Sequence, residues 1–233
     1  MQNKTEGFVA LFDILGFKEW IDNTQLDDVI RIYENMKREI ETQTTGYINY
    51  VLNKPIIATC IFSDTFLIYT NEVTDKGFEA LLMACRFIFG SACSHKQPIR
   101  GSIAVGEFYA YDGIVIGRPI TKAYENEKEQ DWIGCLIEKE CKNKVPGTFA
   151  KYLASNTIVE YQIPLKKGNV TEQYAYNWVK ELSENTAFTI EELERRFLGK
   201  KPLRWAENRK HKNTKEFIDF TWRTKNQCHF RWW

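Results

Sequence analysis

Apolar and polar positions along the chain alternate between extended and helical spacing. Gly7 to Phe17 is an almost unbroken apolar run of strand formers, interrupted only by Asp13, which is the pattern of a strand covered on both faces. From Leu26, the residues Val29, Ile30, Tyr33, Met36 and Ile40 recur at helical spacing, with Asp27 and Asp28 in the first turn where the helix dipole favours anions. Tyr47 to Leu52 and Ile56 to Tyr69 are rich in Ile, Val, Phe and Tyr and predict two or three strands, with a hairpin at Ser63-Asp64. Phe78, Leu81, Leu82, Cys85, Ile88, Phe89 and Ala92 mark a second amphipathic helix ending near His95, followed by a strand over Ile99 to Tyr109. Asp112-Gly113 is a hairpin-type turn into Ile114 to Ile116, and Pro119 opens a helix through Lys122 to Gln130. A strand at Trp132 to Ile137, a short helix after Val145 and a strand at Thr157 to Ile163 complete the pattern.

Interleaving paired strands with helices in this order predicts an α+β fold, an α/β sandwich whose mixed sheet carries helices mainly on one face. With 233 residues, 43% of them hydrophobic and 27% charged, the chain is an ordinary globular protein able to bury a core without disulfides or metals as staples. No apolar run approaches the roughly 18 residues of a spanning helix and no basic region precedes a long apolar stretch, so a cytoplasmic location without membrane contact is expected. The six cysteines, Cys60, Cys85, Cys93, Cys135, Cys141 and Cys228, form no C-x-x-C pair and are expected to be reduced and mostly buried.

The net charge of +1 conceals an asymmetry: residues 195–233 hold 12 Lys/Arg against 3 Asp/Glu, leaving 20 against 28 elsewhere. This predicts a main domain over 1–165 and a basic, Trp-rich extension over 166–233. Trp205, Phe217, Phe220 and Trp222 accompany its charges, so packing on the chain's own acidic body or on a second copy is the favoured reading, ahead of nucleic acid.

The chemistry concentrates in two acids. Asp13 ends a hydrophobic strand and Asp64 sits at a strand turn, each among residues that would otherwise be core. Two buried carboxylates side by side repel, and a cation between them is the natural resolution. Carboxylates with a backbone carbonyl suit Mg²⁺ or Mn²⁺. The alternative is a pair of unrelated turn aspartates.

The wording around these acids carries a resemblance. Phe12-Asp13-Ile14-Leu15-Gly16-Phe17 resembles the F-D-I-x-G-F signature of class III nucleotidyl cyclase catalytic domains. Phe62 to Ile68 resembles that family's second metal-binding hairpin, with Ser63 where glycine is usual; Pro98 to Gly106 resembles its R-x-G-I-x-x-G strand, and Gly117 to Glu127 its G-x-x-V-N-x-A-x-R-L-E helix. The resemblance implies a ferredoxin-like mixed sheet. It also implies that Asp13, the Ile14 carbonyl and Asp64 hold two Mn²⁺ or Mg²⁺ ions, and that N–H groups around Gly16 and Phe17 cradle a triphosphate. The active site would form between two copies, so a homodimer is expected.

Departures from the family pattern narrow the substrate. The purine-reading lysine and aspartate of adenylate cyclases fall at Cys60 and Ile114, and a guanylate cyclase's glutamate and cysteine are also missing. A site built to hydrogen-bond its base rejects analogues strongly, so ATP and GTP are disfavoured. The family's transition-state asparagine and arginine align with Thr121 and Glu125; Arg118, Lys122 and Arg100 are the candidates to replace them, with a solvated or ion-paired role as the alternative for each. Together with Ala123 to Glu127, Gln130 to Gly134 and Tyr161 to Lys166, these departures make the chain resemble the pyrimidine cyclases of bacterial anti-phage Pycsar systems. That likeness implies UTP or CTP as substrate, UTP slightly favoured, a cyclic pyrimidine nucleotide as product, and a separate effector that reads it. Tyr50 and Cys60 are candidate base contacts. Three rivals stand beside this reading: a nucleic-acid module using Arg204, Arg209, Lys210, Lys212 and Lys215, a cyclase-like scaffold without turnover, and a polymerase-palm relative disfavoured by the lack of a G-G-D-E-F-like turn.

Overall fold

The computed structural model describes residues 4–167, 171–199 and 205–229. Strand β1 (Lys4–Ile14) is central and buried on both faces, as its continuous apolar run requires. Helix α1 (Phe17–Asn23) and helix α2 (Leu26–Glu41) follow, and then the chain stays helical through a π-helical segment (Thr42–Ile48) and α3 (Asn49–Leu52). Strands β2 (Ile57–Phe62) and β3 (Thr65–Thr70) form the expected hairpin about Ser63 and Asp64. Helix α4 (Asp75–His95), β4 (Ile99–Tyr111), β5 (Ile114–Gly117), α5 (Arg118–Glu129) and β6 (Gly134–Ile137) come next. Helices α6 (Lys139–Lys144) and α7 (Pro146–Ala154), the pair β7 (Ile158–Ile163) and β8 (Thr171–Tyr176), and helices α8 (Trp178–Asn185), α9 (Ile190–Leu198) and α10 (Trp205–His229) complete the described chain.

One eight-stranded sheet runs in the order β2-β3-β1-β4-β6-β8-β7, with β5 paired to the far end of β4. Among the described residues only β4 and β6 pair in parallel. The first four strands and the helices between them follow the split β-α-β-β-α-β plan of ferredoxin-like folds. Alternate residues of β1 serve two cores: Phe8, Ala10, Phe12 and Ile14 face the large cluster under α2 and α4, while Val9 and Leu11 face a smaller one closed by Ala123 and Ile120 of α5. Most helices therefore lie on one face, and α5 covers part of the other.

One sequence expectation is corrected. Tyr47 to Leu52 is helical, not a strand. Thr44 and Ile48 are the buried positions of the π-helical segment that leads into it, at helical spacing, and Asn49 bonds both the N–H and the carbonyl of Ile57 through its side-chain amide, at 3.0 and 2.9 Å, occupying the edge where a strand would have paired. Of the residues after 165, strand β8 inserts between β6 and β7 and continues the same sheet. The basic helix α10 does pack on its own chain. Its Phe217 is fully buried 4.7 Å from Trp132, and its Arg209 pairs with the buried Asp131. Phe220 packs partly buried and Trp222 is half exposed, while the Trp205 side chain lies outside the described residues. Helix α4 is long and apolar enough to cross a membrane by length and composition, with a mean hydropathy of 1.2, but 67% of it is buried as the central core helix. Cys85, Cys93, Cys135 and Cys141 are buried free thiols and Cys60 is half-buried, while the Cys228 side chain lies outside the described residues.

Candidate active site

Strand pairing alone brings the two acids together. Asp13 lies opposite Thr65 in the β1–β3 register, and Asp64 immediately precedes Thr65 in the β2–β3 turn. The Ile14 N–H donates to the Asp64 carbonyl at 3.1 Å, so the turn is stitched to the end of β1, and Leu15 N–H donates to Pro98 at 2.8 Å. Within this frame Asp64 lies close enough to raise the pKa of the Asp13 carboxyl. The carboxyl of Asp13 is pushed up to about 7, first by burial, then by the negative charges of Glu127 and Asp64, against an opposing pull from Arg100.

The donor set fits a hard divalent cation. It offers carboxylate oxygens whose mutual repulsion a cation would relieve, and the Ile14 carbonyl is the third oxygen the resemblance implies. Among the described residues no three His, Cys, Asp or Glu side chains gather as a metal cage, so waters and substrate phosphates would complete the coordination, as Mg²⁺-type ions require. Gly16 takes a left-handed conformation, φ 75°, turning the chain from β1 into α1, and the first N–H groups of that helix have no intrahelical acceptor. Gly16 and Phe17 thus follow Asp13 by three and four residues, across the turn from β1 into α1.

The remaining sequence candidates divide. Cys60 pairs with Leu67, which pairs with Leu11, so it shares the sheet face of Asp13 two strands away. Tyr50 is on helix α3, not on a strand, with 84% of its surface exposed. Arg100 pairs with Asp13 across the β1–β4 ladder, but its guanidinium is buried and engaged: Nε donates to Glu127 at 2.7 Å, Nη2 donates to the same oxygen, and Nη1 donates to the Gln130 carbonyl at 2.8 Å. Arg118 and Lys122 are exposed on α5 and line an open groove of about 990 Å³ with Lys4, Glu107, Thr121 and Glu125. Lys122 lies 3.9 Å from Glu138. Arg118 follows Gly117, which pairs with Phe108 and so with Thr5, eight residues before Asp13 along β1. At about 3.3 Å per residue that is roughly 26 Å, beyond the reach of an arginine side chain within one chain.

Sequence reasoning missed two contributors. Glu127 lay inside a recognised helix block, but only packing shows it facing Arg100 and Asp13. Tyr33 was counted as an apolar-face residue, while its hydroxyl donates to the Ser63 carbonyl in the turn that carries Asp64.

No protein-family profile matches the chain, and no curated protein compared with it is similar in sequence. Solved structures are similar in fold. The catalytic core of a rhodopsin-guanylyl cyclase with converted specificity, solved in complex with ATPalphaS, superimposes with a TM-score of 0.53 at 14% identity, over 74% of this chain and 96% of that one. A bacterial light-regulated adenylyl cyclase gives 0.50 at 11% identity, over 75% of this chain and 52% of that one. The architecture is that of class III nucleotidyl cyclase catalytic domains, as expected from the four sequence blocks.

Proposed function

We propose that this chain is a nucleotidyl cyclase, a phosphorus-oxygen lyase that converts a pyrimidine nucleoside triphosphate, UTP ahead of CTP, into its 3′,5′-cyclic nucleotide and pyrophosphate. The observation that carries the reading is the meeting of Asp13 and Asp64 at the end of β1, on a fold shared with cyclase catalytic domains. Asp13, the Ile14 carbonyl and Asp64 would hold two Mn²⁺ or Mg²⁺ ions. Such ions lower the pKa of the ribose 3′-hydroxyl and neutralise the leaving pyrophosphate. The chain's own share is to present the carboxylates ionised, to offer N–H groups around Gly16 and Phe17 to the triphosphate, and to exclude purine recognition. Cys60 and Ile114 stand where purine-reading side chains would be, and neither offers a strong hydrogen bond to a purine edge.

The placement of the cations supports a homodimer. Arg118 cannot reach Asp13 of its own chain, so a second copy packed head to tail would bring Arg118 or Lys122 to the α-phosphate, where a cation stabilises developing charge. By its resemblance to Pycsar cyclases, the enzyme would act in the cytoplasm, making a second messenger on phage infection for a separate effector.

The test is direct. Purified protein with Mn²⁺ is given each of the four nucleoside triphosphates separately, and pyrophosphate and cyclic mononucleotide are measured, the latter by mass. Turnover of UTP or CTP alone supports the proposal, and turnover of ATP or GTP overturns the pyrimidine assignment. A nucleotide-binding scaffold without turnover is the second reading, favoured by Thr121 and Glu125 in place of donor side chains. Two retained acids count against it. Nucleic-acid binding by the tail is weakened by Arg209 and Lys215, which pair with Asp131 and Glu194 of the same chain.

A further inference from the structure

The turn that carries Asp64 is built on an unfavourable residue. Ser63 occupies the first of its two central positions with φ 51°, a left-handed conformation that hairpin turns normally assign to glycine and that a side chain resists. If Ser63 relaxes out of that conformation, the turn changes type and the next residue, Asp64, swings with it. Something outside the hairpin must hold it.

Tyr33 on α2 is placed to do so. Its ring centroid lies 6.1 Å from Phe17, the first residue of α1, and 6.1 Å from Phe66 on β3, and its phenol donates a hydrogen bond to the Ser63 carbonyl. It thus touches both loops that border the acid pair: the turn after β1 and the turn between β2 and β3. Downstream of Ser63, the Asp64 carbonyl accepts the Ile14 N–H at 3.1 Å, so displacement of the turn loosens a bond that reports on it.

We propose that Tyr33 is a positioning residue for the acid pair, its bond to Ser63 locking the left-handed turn so that Asp64 stays against Asp13. The inference rests on reading Asp13 and Asp64 as metal ligands, but the hold itself is measurable without metal or nucleotide.

The experiment compares the full chain with Tyr33→Phe, Ser63→Gly and the double variant. Tyr33→Phe keeps the ring contacts and removes only the donor. Amide hydrogen exchange of Ile14 is read relative to that of Ala10, deep in the same strand, so that a global loss of stability cancels. Mn²⁺ affinity is read separately from the electron paramagnetic resonance signal of free Mn²⁺. In Tyr33→Phe, Ile14 exchange should rise relative to Ala10 by up to about tenfold and Mn²⁺ affinity should fall, the scale of one lost hydrogen bond. In the double variant both should return to the Ser63→Gly values, because glycine holds the left-handed turn without help. A tyrosine that served only as packing would not be rescued at position 63. Unchanged relative exchange of Ile14 in Tyr33→Phe, or a double variant no better than Tyr33→Phe, overturns the inference. A native chain that binds no Mn²⁺ overturns the metal reading instead, and Ile14 exchange still decides the role of Tyr33.

Discussion

Arg100 stands directly opposite Asp13 in the β1–β4 register, yet its guanidinium is bound to Glu127 and to the Gln130 carbonyl. The cation opposite Asp13 on its own sheet row is thus already committed to a buried ion pair. Its exposure is 4%, and that of Glu127 is 3%. Removing one partner leaves an uncompensated buried charge, so Arg100→Met or Glu127→Leu alone should cost about 3–5 kcal/mol in urea unfolding. The double substitution, with both charges replaced by apolar side chains of similar volume, should lie close to the native stability.

The pH dependence of the metal-free chain follows from Asp13. Its carboxyl titrates near 7 in the folded protein and near 3.8 unfolded, so between those values the folded state binds more protons. Stability contributed by this group is therefore present at the acid end and is lost as pH rises from about 4 to 7. Asp13→Asn should raise the melting temperature of the metal-free chain at pH 8 and change it little at pH 4. Equal effects at both pH values would contradict the burial and charge environment assigned to Asp13.

Cyclase turnover should not survive loss of either acid. Asp13→Ala and Asp64→Ala are expected to cut product formation by at least about a hundredfold, the upper end of what even outer-sphere partners of a metal site cost. Circular dichroism should show both variants folded, because each substitution removes a carboxylate that repels its neighbour. Turnover persisting in either variant would contradict the metal assignment.

Mixing experiments address the second copy. Arg118→Ala and Lys122→Ala should slow turnover with little change in nucleotide binding, since the loss is to the transition state. Combined with Asp13→Ala protein, whichever of them is inactive should regain activity, because one of the two sites in the proposed mixed dimer then has both an intact acid pair and an intact cation. No recovery on mixing would place the charge stabiliser within the same chain.

Helix α10 should behave as part of the fold. Phe217 is fully buried, with Trp132 at 4.7 Å and Tyr161 at 4.9 Å, and the Thr214 hydroxyl accepts the Ile133 N–H at 2.9 Å. Phe217→Ala should destabilise the chain by roughly 3–5 kcal/mol in chemical denaturation, the usual cost of emptying an aromatic core position. A cost near zero would make the helix a detachable appendage.

The sequence by itself determined most of the sheet and the identity of the acid pair. Asp13 stood out because a single charge interrupts a run that must be buried on both faces, and Asp64 because a turn residue sits between two strand-like runs. Local pattern carries such information, since strand alternation and turn chemistry are properties of neighbouring residues. Tyr47 to Leu52 was misread for the same reason: β-formers next to a strand look like a strand, and only the competition for the edge of β2, taken by the Asn49 side chain, decides for helix. What tertiary structure alone decided is which side chains meet. The commitment of Arg100 to Glu127, the grip of Tyr33 on Ser63, the insertion of β8 beside β6 and the seating of α10 on Trp132 all join residues distant in sequence, and no spacing along a chain encodes a contact that packing creates.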